Sequence, residues 1–134
     1  MIDEKMLIEE AKKAREHSYS PYSHFAVGAA ILCKDGRVFH GANVENASYP
    51  LSMCAERNAL YHAYMNGYHK EDFVALALIG ATADPIAPCG ACRQVIQELF
   101  PKDAPIFMAN LEGKTRTTNV DELLPFAFDQ EDLQ

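Results

Sequence analysis

Basic residues are scarce in this sequence. Among its 134 residues, 12 are Lys or Arg and 19 are Asp or Glu, so the formal net charge is −7 at pH 7. Proteins that bind polynucleotides usually present a basic surface, and so do proteins that dock on anionic membranes. We therefore expect no nucleic acid polymer and no membrane among the partners, which leaves small molecules, neutral ones especially.

Long apolar runs are also missing. No stretch reaches the ~18 residues of a membrane-spanning helix, and residues 1–5 carry acids where a signal peptide has basic residues. We therefore expect a cytoplasmic protein, whose thiols are kept reduced. In that compartment four cysteines indicate metal binding or catalysis rather than a disulfide framework; they are Cys33, Cys54, Cys89 and Cys92.

Repeats, linkers and low-complexity segments are absent as well. Hydrophobic residues make up 49% of the chain and charged residues 23%, which is typical of a globular protein rather than a disordered one. A chain of this length normally folds as one domain with its own core. The sequence therefore predicts a single domain over residues 1–134.

Apolar periodicity and turn signals such as Asp35-Gly36 predict the order α-β-β-α-β-α-β-β-α. One sheet with helices on both faces buries these segments most simply, so the fold class is α/β with roughly five strands. Adjacent hairpins require antiparallel pairing, and we therefore expect a mixed sheet. The predicted helices cover residues 3–17, 52–66, 90–99 and 120–124, and the predicted strands cover 25–32, 38–44, 73–79, 105–111 and 115–118.

Three cysteines fall at two predicted helix starts. Cys54 begins one helix, and Cys89 and Cys92 begin another at a spacing that places both sulfurs on one helical face. The positive end of a helix stabilises thiolates, the form that binds metal. Three thiolates can hold a tetrahedral zinc ion and leave one position open, as in catalytic sites. Cys33 lies in an apolar strand and is interpreted as a core residue, although as a fourth ligand it would close the site.

Two charged residues follow Cys54 on the same predicted helix. Glu56 lies in the first turn, where a carboxylate complements the helix dipole; beside a catalytic metal it can instead shuttle protons between water and a substrate. Arg57 lies three residues after Cys54, on the same helical face. Zinc with three thiolates carries an excess negative charge, so Arg57 is either the cation that offsets this charge or a solvated surface residue.

These residues form two blocks of a known signature. Zinc-dependent base deaminases carry His-x-Glu followed by Pro-Cys-x-x-Cys, with a variant in which three cysteines bind the metal. Here the blocks are residues 54–56 (Cys-Ala-Glu) and 88–92 (Pro-Cys-Gly-Ala-Cys). The chain resembles the small cytidine deaminases that act on free nucleosides, and further matching blocks lie at residues 19–23, 25–30, 43–49 and 123–128.

The resemblance implies a three-layer α/β/α fold and hydrolytic deamination of cytidine and deoxycytidine to uridine and deoxyuridine, in pyrimidine salvage. It implies one zinc ion per chain, with Cys54, Cys89 and Cys92 as the ligands. Glu56 would be the general acid and base, and Arg57 would support the thiolates.

The resemblance also implies a substrate pocket and an assembly. Asn43 and Glu45 would hold the ribose hydroxyls, and Phe25 would pack on the pyrimidine ring. The backbone of Ala55 would meet the exocyclic amine. The family's small enzymes are homotetramers, in which Phe128 would reach a neighbouring subunit's pocket.

Plainer interpretations of the pocket residues stay open. Asn43 and Glu45 alternate at a strand end, where exposed polar residues are common, and Phe25 fits a core position. Phe128 fits a residue that covers the C-terminus. His24 and His40 lack metal-ligand spacing to a partner, so the sequence assigns them no ligand role.

Two rival functions also stay open. A deaminase of a nucleoside antibiotic such as blasticidin S shares the Cys-Ala-Glu and Pro-Cys-x-x-Cys blocks, although the Asn43–Glu45 block favours ordinary nucleosides. A structural zinc or redox module would use the same cysteines without catalysis. The net charge, and Cys54 in the place of a histidine, disfavour nucleic acid editing.

Overall fold

Five strands form one mixed sheet: β1 (Val27–Cys33), β2 (Val38–Ala42), β3 (Phe73–Gly80), β4 (Ile106–Asn110) and β5 (Thr115–Thr118). In the computed structural model, which describes residues 2–133, their order across the sheet is β2-β1-β3-β4-β5. The β3–β4 pair is parallel and the other pairs are antiparallel. The predicted mixed sheet is confirmed.

Helices cover both faces of this sheet: α1 (Glu4–Arg15), α2 (Ala55–Met65), α3 (Gly90–Leu99) and α4 (Val120–Leu123), with short 3-10 turns at Tyr49–Leu51, Lys70–Asp72 and Gln130–Leu133. On one face Leu7 and Ala11 of α1 pack in a cluster with Ala77 of β3. On the other face Leu60 of α2 and Ile96 of α3 share a second cluster. The three-layer α/β/α arrangement is confirmed. Within residues 2–133, no helix combines the length and apolarity that crossing a membrane requires.

Local signals account for several element ends. The Asp3 side chain accepts a hydrogen bond from the Met6 amide at the start of α1, and Asn119 accepts one from the Glu122 amide at the start of α4. Gly36 has a φ of 91° in the turn between β1 and β2, where a residue without a side chain is favoured.

The ends of three elements near the cysteines differ from the predicted ones. Helix α2 begins at Ala55 because Cys54 takes extended backbone as its N-cap. Strand β1 begins at Val27, since His24 has a φ of 56° and its segment turns away from the sheet. Strand β2 ends at Ala42, because Val44 pairs instead with the segments around Tyr19 and Met53.

Helix α2 lies directly on β2 at Gly41. A Cβ atom there would overlap the Ala55 carbonyl oxygen and the Ala59 amide. Glycine therefore permits a close helix–sheet contact that a side chain would prevent. This contact fixes how closely the N-terminus of α2 approaches the sheet, and therefore where Cys54 lies.

Candidate active site

Two helix N-termini meet beside the sheet and bring three sulfurs together. Cys54 is the N-cap of α2, Cys89 is the N-cap of α3, and Cys92 lies in the first turn of α3. The Cys54 and Cys89 Sγ atoms are 3.8 Å apart, and those of Cys89 and Cys92 are 3.4 Å apart. All three sulfurs lie within 4.8 Å of one another.

This cluster fits a zinc ion. Zinc–sulfur bonds of ~2.3 Å in tetrahedral geometry place sulfurs about 3.8 Å apart, close to the observed separations. Among residues 2–133, no fourth His, Cys, Asp or Glu ligand belongs to the group. Cys33 lies buried in β1 as part of the core, and burial raises the pKa of its thiol to about 11. Three protein ligands without a fourth are typical of a catalytic zinc site rather than a closed structural one.

The surroundings of the sulfurs favour thiolates. Hydrogen bonds from the Cys92 thiol, from Arg57 and from Cys89 together lower the pKa of Cys54 to about 5, although burial acts in the opposite direction. The pKa of Cys92 is raised by its hydrogen bond with Cys54 and by burial. The Arg57 Nη2 atom lies 3.4 Å from the Cys54 sulfur. Burial alone would lower the pKa of Arg57, but its hydrogen bonds to the two sulfurs outweigh burial and raise it. Arg57 is therefore placed as a permanent cation against the cluster.

Glu56 is a buried acid next to the three sulfurs. It lies in the first turn of α2 and is only 4% exposed. Burial raises the pKa of its carboxyl to about 7, with the nearby Cys54 thiolate acting in the same direction. A carboxyl group with a pKa near neutrality can both accept and donate a proton at physiological pH, as a general acid and base must.

A cavity of about 350 Å³ opens between the sulfur cluster and the segments that precede β1 and follow β2. This volume is in the range of small-molecule sites. Phe25, Asn43, Glu45, Ala55 and Glu56 line it together with Cys54 and Cys89. The structure therefore brings most of the predicted site residues to one place, with metal ligands on one side and polar side chains on another.

Asn43 braces the segment that precedes β1. Its Oδ1 accepts hydrogen bonds from the Ser18 hydroxyl at 2.6 Å and the Val27 amide at 2.9 Å. Its Nδ2 donates to the Phe25 carbonyl at 2.7 Å. One N–H of the amide is left for a ligand, since an NH₂ group has two donors.

Glu45 braces the same segment from the end of the cavity. Although only 7% exposed, it accepts hydrogen bonds from the backbone amides of Tyr22 and Ser23, both at 3.1 Å, and from the Ser23 hydroxyl. Hydrogen bonding from Ser23 holds the pKa of Glu45 below its ordinary value. Glu45 therefore stays ionised and is an acceptor only.

Phe25 lies on the loop that Asn43 and Glu45 hold in place. Its side chain is 39% exposed and lines the cavity, so the alternative of a core position is wrong. A half-exposed aromatic ring at a cavity wall is a surface on which a flat ligand can pack.

Comparison with known proteins decides the family. Residues 1–108 match the family model described as cytidine and deoxycytidylate deaminase zinc-binding region. The chain belongs to this deaminase family. It is 54% identical over 132 residues to the cytidine deaminase of Halalkalibacterium halodurans and 48% identical to that of Sporosarcina psychrophila. Those alignments cover 98% of this chain, with 98% of the first relative and 96% of the second.

Solved structures of the family have the same fold. The cytidine deaminase of Burkholderia pseudomallei matches with a TM-score of 0.92 and 53% identity, over 95% of this chain and all of the other. That of Mycobacterium tuberculosis matches with a TM-score of 0.82 and 39% identity, over 96% and 99% of the two chains. The resemblance seen in the sequence blocks is thereby confirmed.

Phe128 lies away from the cavity of this deaminase, as do His24 and His40, the two histidines to which the sequence assigns no ligand role. The Phe128 side chain is 57% exposed and does not line the cavity of its own chain. The Phe128 carbonyl oxygen accepts a hydrogen bond from Gln94 Nε2 at 2.8 Å. His40 contacts Glu10 of α1 through Nε2 at 2.8 Å. His24 is exposed on the loop before Phe25.

Several cavity residues were not predicted from the sequence. Most of them lie on loops whose path depends on distant contacts, and no spacing pattern marks them. The residues are Ser23, Val27, Tyr49, Ser52, Met53, Ile86 and Ala87. Of these, Ser23, Val27 and Tyr49 carried a detectable signal, because they lie within the family-like blocks at residues 19–23, 25–30 and 43–49.

Proposed function

We propose that this chain catalyses the hydrolytic deamination of free cytidine and deoxycytidine to uridine and deoxyuridine, with release of ammonia. The observation that carries the proposal is the cluster of three cysteine sulfurs beside a nucleoside-sized cavity, whose wall includes Cys54, Cys89 and the buried Glu56. Family membership and whole-length similarity to cytidine deaminases support the same reaction.

Cys54, Cys89 and Cys92 would hold one zinc ion, and Arg57 would stabilise their thiolates. Zinc with an open coordination position activates water as a nucleophile near neutral pH. Because the ligands must be deprotonated, binding of the metal also releases the protons that the three thiols share.

Glu56 moves the protons of the reaction. It accepts a proton from the attacking water and donates it to N3 of the cytosine ring, which makes C4 more electrophilic. After the C4–O bond has formed, Glu56 takes the remaining hydroxyl proton and delivers it to the amine. The C4–N bond then breaks, ammonia leaves, and a carbonyl remains at C4. The pKa of about 7 suits a group that must change protonation state in both directions.

The rest of the cavity recognises a nucleoside. Phe25 packs on the pyrimidine ring and the Ala55 backbone meets the exocyclic amine. Asn43 offers one free N–H and Glu45 offers a carboxylate acceptor, a pairing suited to sugar hydroxyls, which both donate and accept. The scarcity of basic residues fits a free nucleoside better than a polynucleotide.

The proposal extends to assembly and location. Large apolar side chains are exposed near the cavity and the C-terminus, among them Tyr49, Leu51, Phe126 and Phe128. Such exposure marks interaction surfaces, and it supports a homotetramer in which Phe128 reaches a neighbouring subunit's pocket. The proposal includes a cytoplasmic location, where the four cysteines would stay reduced, and a role in pyrimidine salvage as one domain over residues 1–134. Light scattering on the purified protein tests the tetramer; a mass of one chain contradicts it.

The direct test is ultraviolet absorbance on mixing zinc-loaded protein with cytidine or deoxycytidine. Absorbance of the cytosine ring should fall as uracil forms. This fall should stop when a chelator removes zinc, and it should resume when zinc is restored. No turnover of either nucleoside by fully metallated protein would contradict the proposal. Turnover of a nucleoside antibiotic alone would identify a related deaminase with a different substrate.

A further inference from the structure

Ser23 joins the carboxylate of Glu45 to the loop that carries Phe25. Its Oγ donates to Glu45 Oε2 and accepts from the Phe25 backbone amide at 3.0 Å. Ser23 also lines the cavity, beside Glu45 and Asn43.

The direction of the Ser23 hydroxyl is fixed by its two partners. The Phe25 N–H can only donate, and an ionised carboxylate can only accept. The single hydroxyl proton therefore points to Glu45. The left-handed backbone of His24, with a φ of 56°, makes the turn that brings the Phe25 amide back to Ser23.

These contacts leave Glu45 with one acceptor position for a ligand. A carboxylate has about four lone-pair sites, two on each oxygen. The Tyr22 and Ser23 amides occupy both sites on Oε1, and the Ser23 hydroxyl occupies one on Oε2. The remaining site is on Oε2, next to the Ser23 hydroxyl.

We infer that Ser23 is a positioning residue for sugar recognition, holding the Glu45 carboxylate so that Oε2 keeps one acceptor site for a sugar hydroxyl. The inference rests on the proposed function, since it assigns a substrate group to Glu45. Ser23 acts through Glu45 and takes no part in the proton transfers at the base.

The test compares two substrates on two enzymes. Cytidine has the 2′- and 3′-hydroxyls of the sugar, and 2′,3′-dideoxycytidine lacks both and keeps only the 5′-hydroxyl. Replacing Ser23 by alanine (Ser23→Ala) should lower kcat/KM for cytidine about tenfold, mostly through KM, as expected for loss of one charge-assisted hydrogen bond. The same substitution should change kcat/KM for the dideoxynucleoside by less than about twofold, because the interaction is already absent there.

Ser20→Ala is the matched control. Ser20 lies on the same segment, and its hydroxyl contacts Ser18 at 3.2 Å rather than Glu45. The Ser20→Ala variant should leave kcat/KM unchanged for both cytidine and 2′,3′-dideoxycytidine. Ser23→Thr keeps the hydroxyl and should recover most of the activity on cytidine. Zinc content and melting temperature report whether each variant is folded, and Ser23→Gly replaces the alanine variant if that protein is unstable.

An equal loss on both substrates would overturn the inference, because Ser23 would then act on the loop as a whole. So would an alanine variant that is unchanged on cytidine, or a threonine variant as impaired as the alanine one. A wild-type protein without cytidine turnover would overturn the proposed function itself, so the two failures are distinguishable.

Discussion

Single side chains decide where protons go in this cavity. Glu56 lies in the first helical turn, where a carboxylate usually stays ionised because it meets the helix dipole. Burial opposes that preference and raises the pKa of Glu56 to about 7. The same residue type at position 45 stays ionised because three donors surround it. Two buried carboxylates thus have different roles, which their surroundings set.

Glu56→Ala tests the proton-transfer role. Turnover of cytidine should fall by about 10³-fold or more, since general acid–base catalysis contributes roughly 10²–10⁴-fold. Zinc content should stay at one ion per chain, and the melting temperature should not fall, because a buried acid without an ion-pair partner adds little stability. Glu98→Ala, on the exposed face of α3, is the control. Near-normal turnover by the Glu56 variant would rule out its role.

Arg57→Gln tests the electrostatic support of the sulfurs. Removal of the cation beside Cys54 should raise the pKa of that thiol and weaken zinc binding about tenfold, as is typical when a partner of a metal ligand is lost. Competition with a chelator at equilibrium measures the change in affinity. Arg116→Gln, on the exposed strand β5, should have no effect. Unchanged zinc affinity in the Arg57 variant would show that Arg57 is a surface charge.

At the scale of elements, the close contact of α2 with β2 sets the position of Cys54. Gly41→Ala would place a methyl group against the Ala55 carbonyl and the Ala59 amide. The helix must then shift, and we expect a loss of about 1–3 kcal/mol in the free energy of unfolding, as in other overpacked sites. Urea denaturation measures it.

The matched control for Gly41 is Gly90→Ala. A Cβ at Gly90 would meet no atom within 4 Å, and its φ is not in the left-handed region. The Gly90 variant should keep its stability, since alanine favours a helix. A Gly41 variant as stable as this control would show that α2 does not depend on the close contact.

Sequence signals predict the elements that carry the metal ligands better than the loop that completes the cavity. The observed α3 has the predicted bounds, and α2 begins at Ala55 within the predicted range of residues 52–66. The loop before β1 is different, because its shape depends on Asn43 and Glu45. The Ser23–Glu45 contact spans 22 positions in sequence, and no local pattern encodes it.

For the whole molecule, the family resemblance predicts more than the residues do alone. Periodicity predicts an α/β sheet with helices on both faces, and the structure has this arrangement. The location of Phe128 relative to a cavity cannot be predicted from periodicity, since it depends on how chains assemble. In a single chain the Phe128 side chain is 57% exposed. Its role therefore belongs to the proposed assembly.

X-ray absorption at the zinc edge tests the metal site most directly. The purified protein should contain one zinc ion per chain, with three sulfur neighbours at ~2.3 Å and one light atom at ~2.0–2.1 Å. Cys33→Ser should leave the spectrum unchanged, because Cys33 lies in the core of β1. A spectrum with four sulfur neighbours, or zinc that is lost with Cys33, would contradict an open catalytic site.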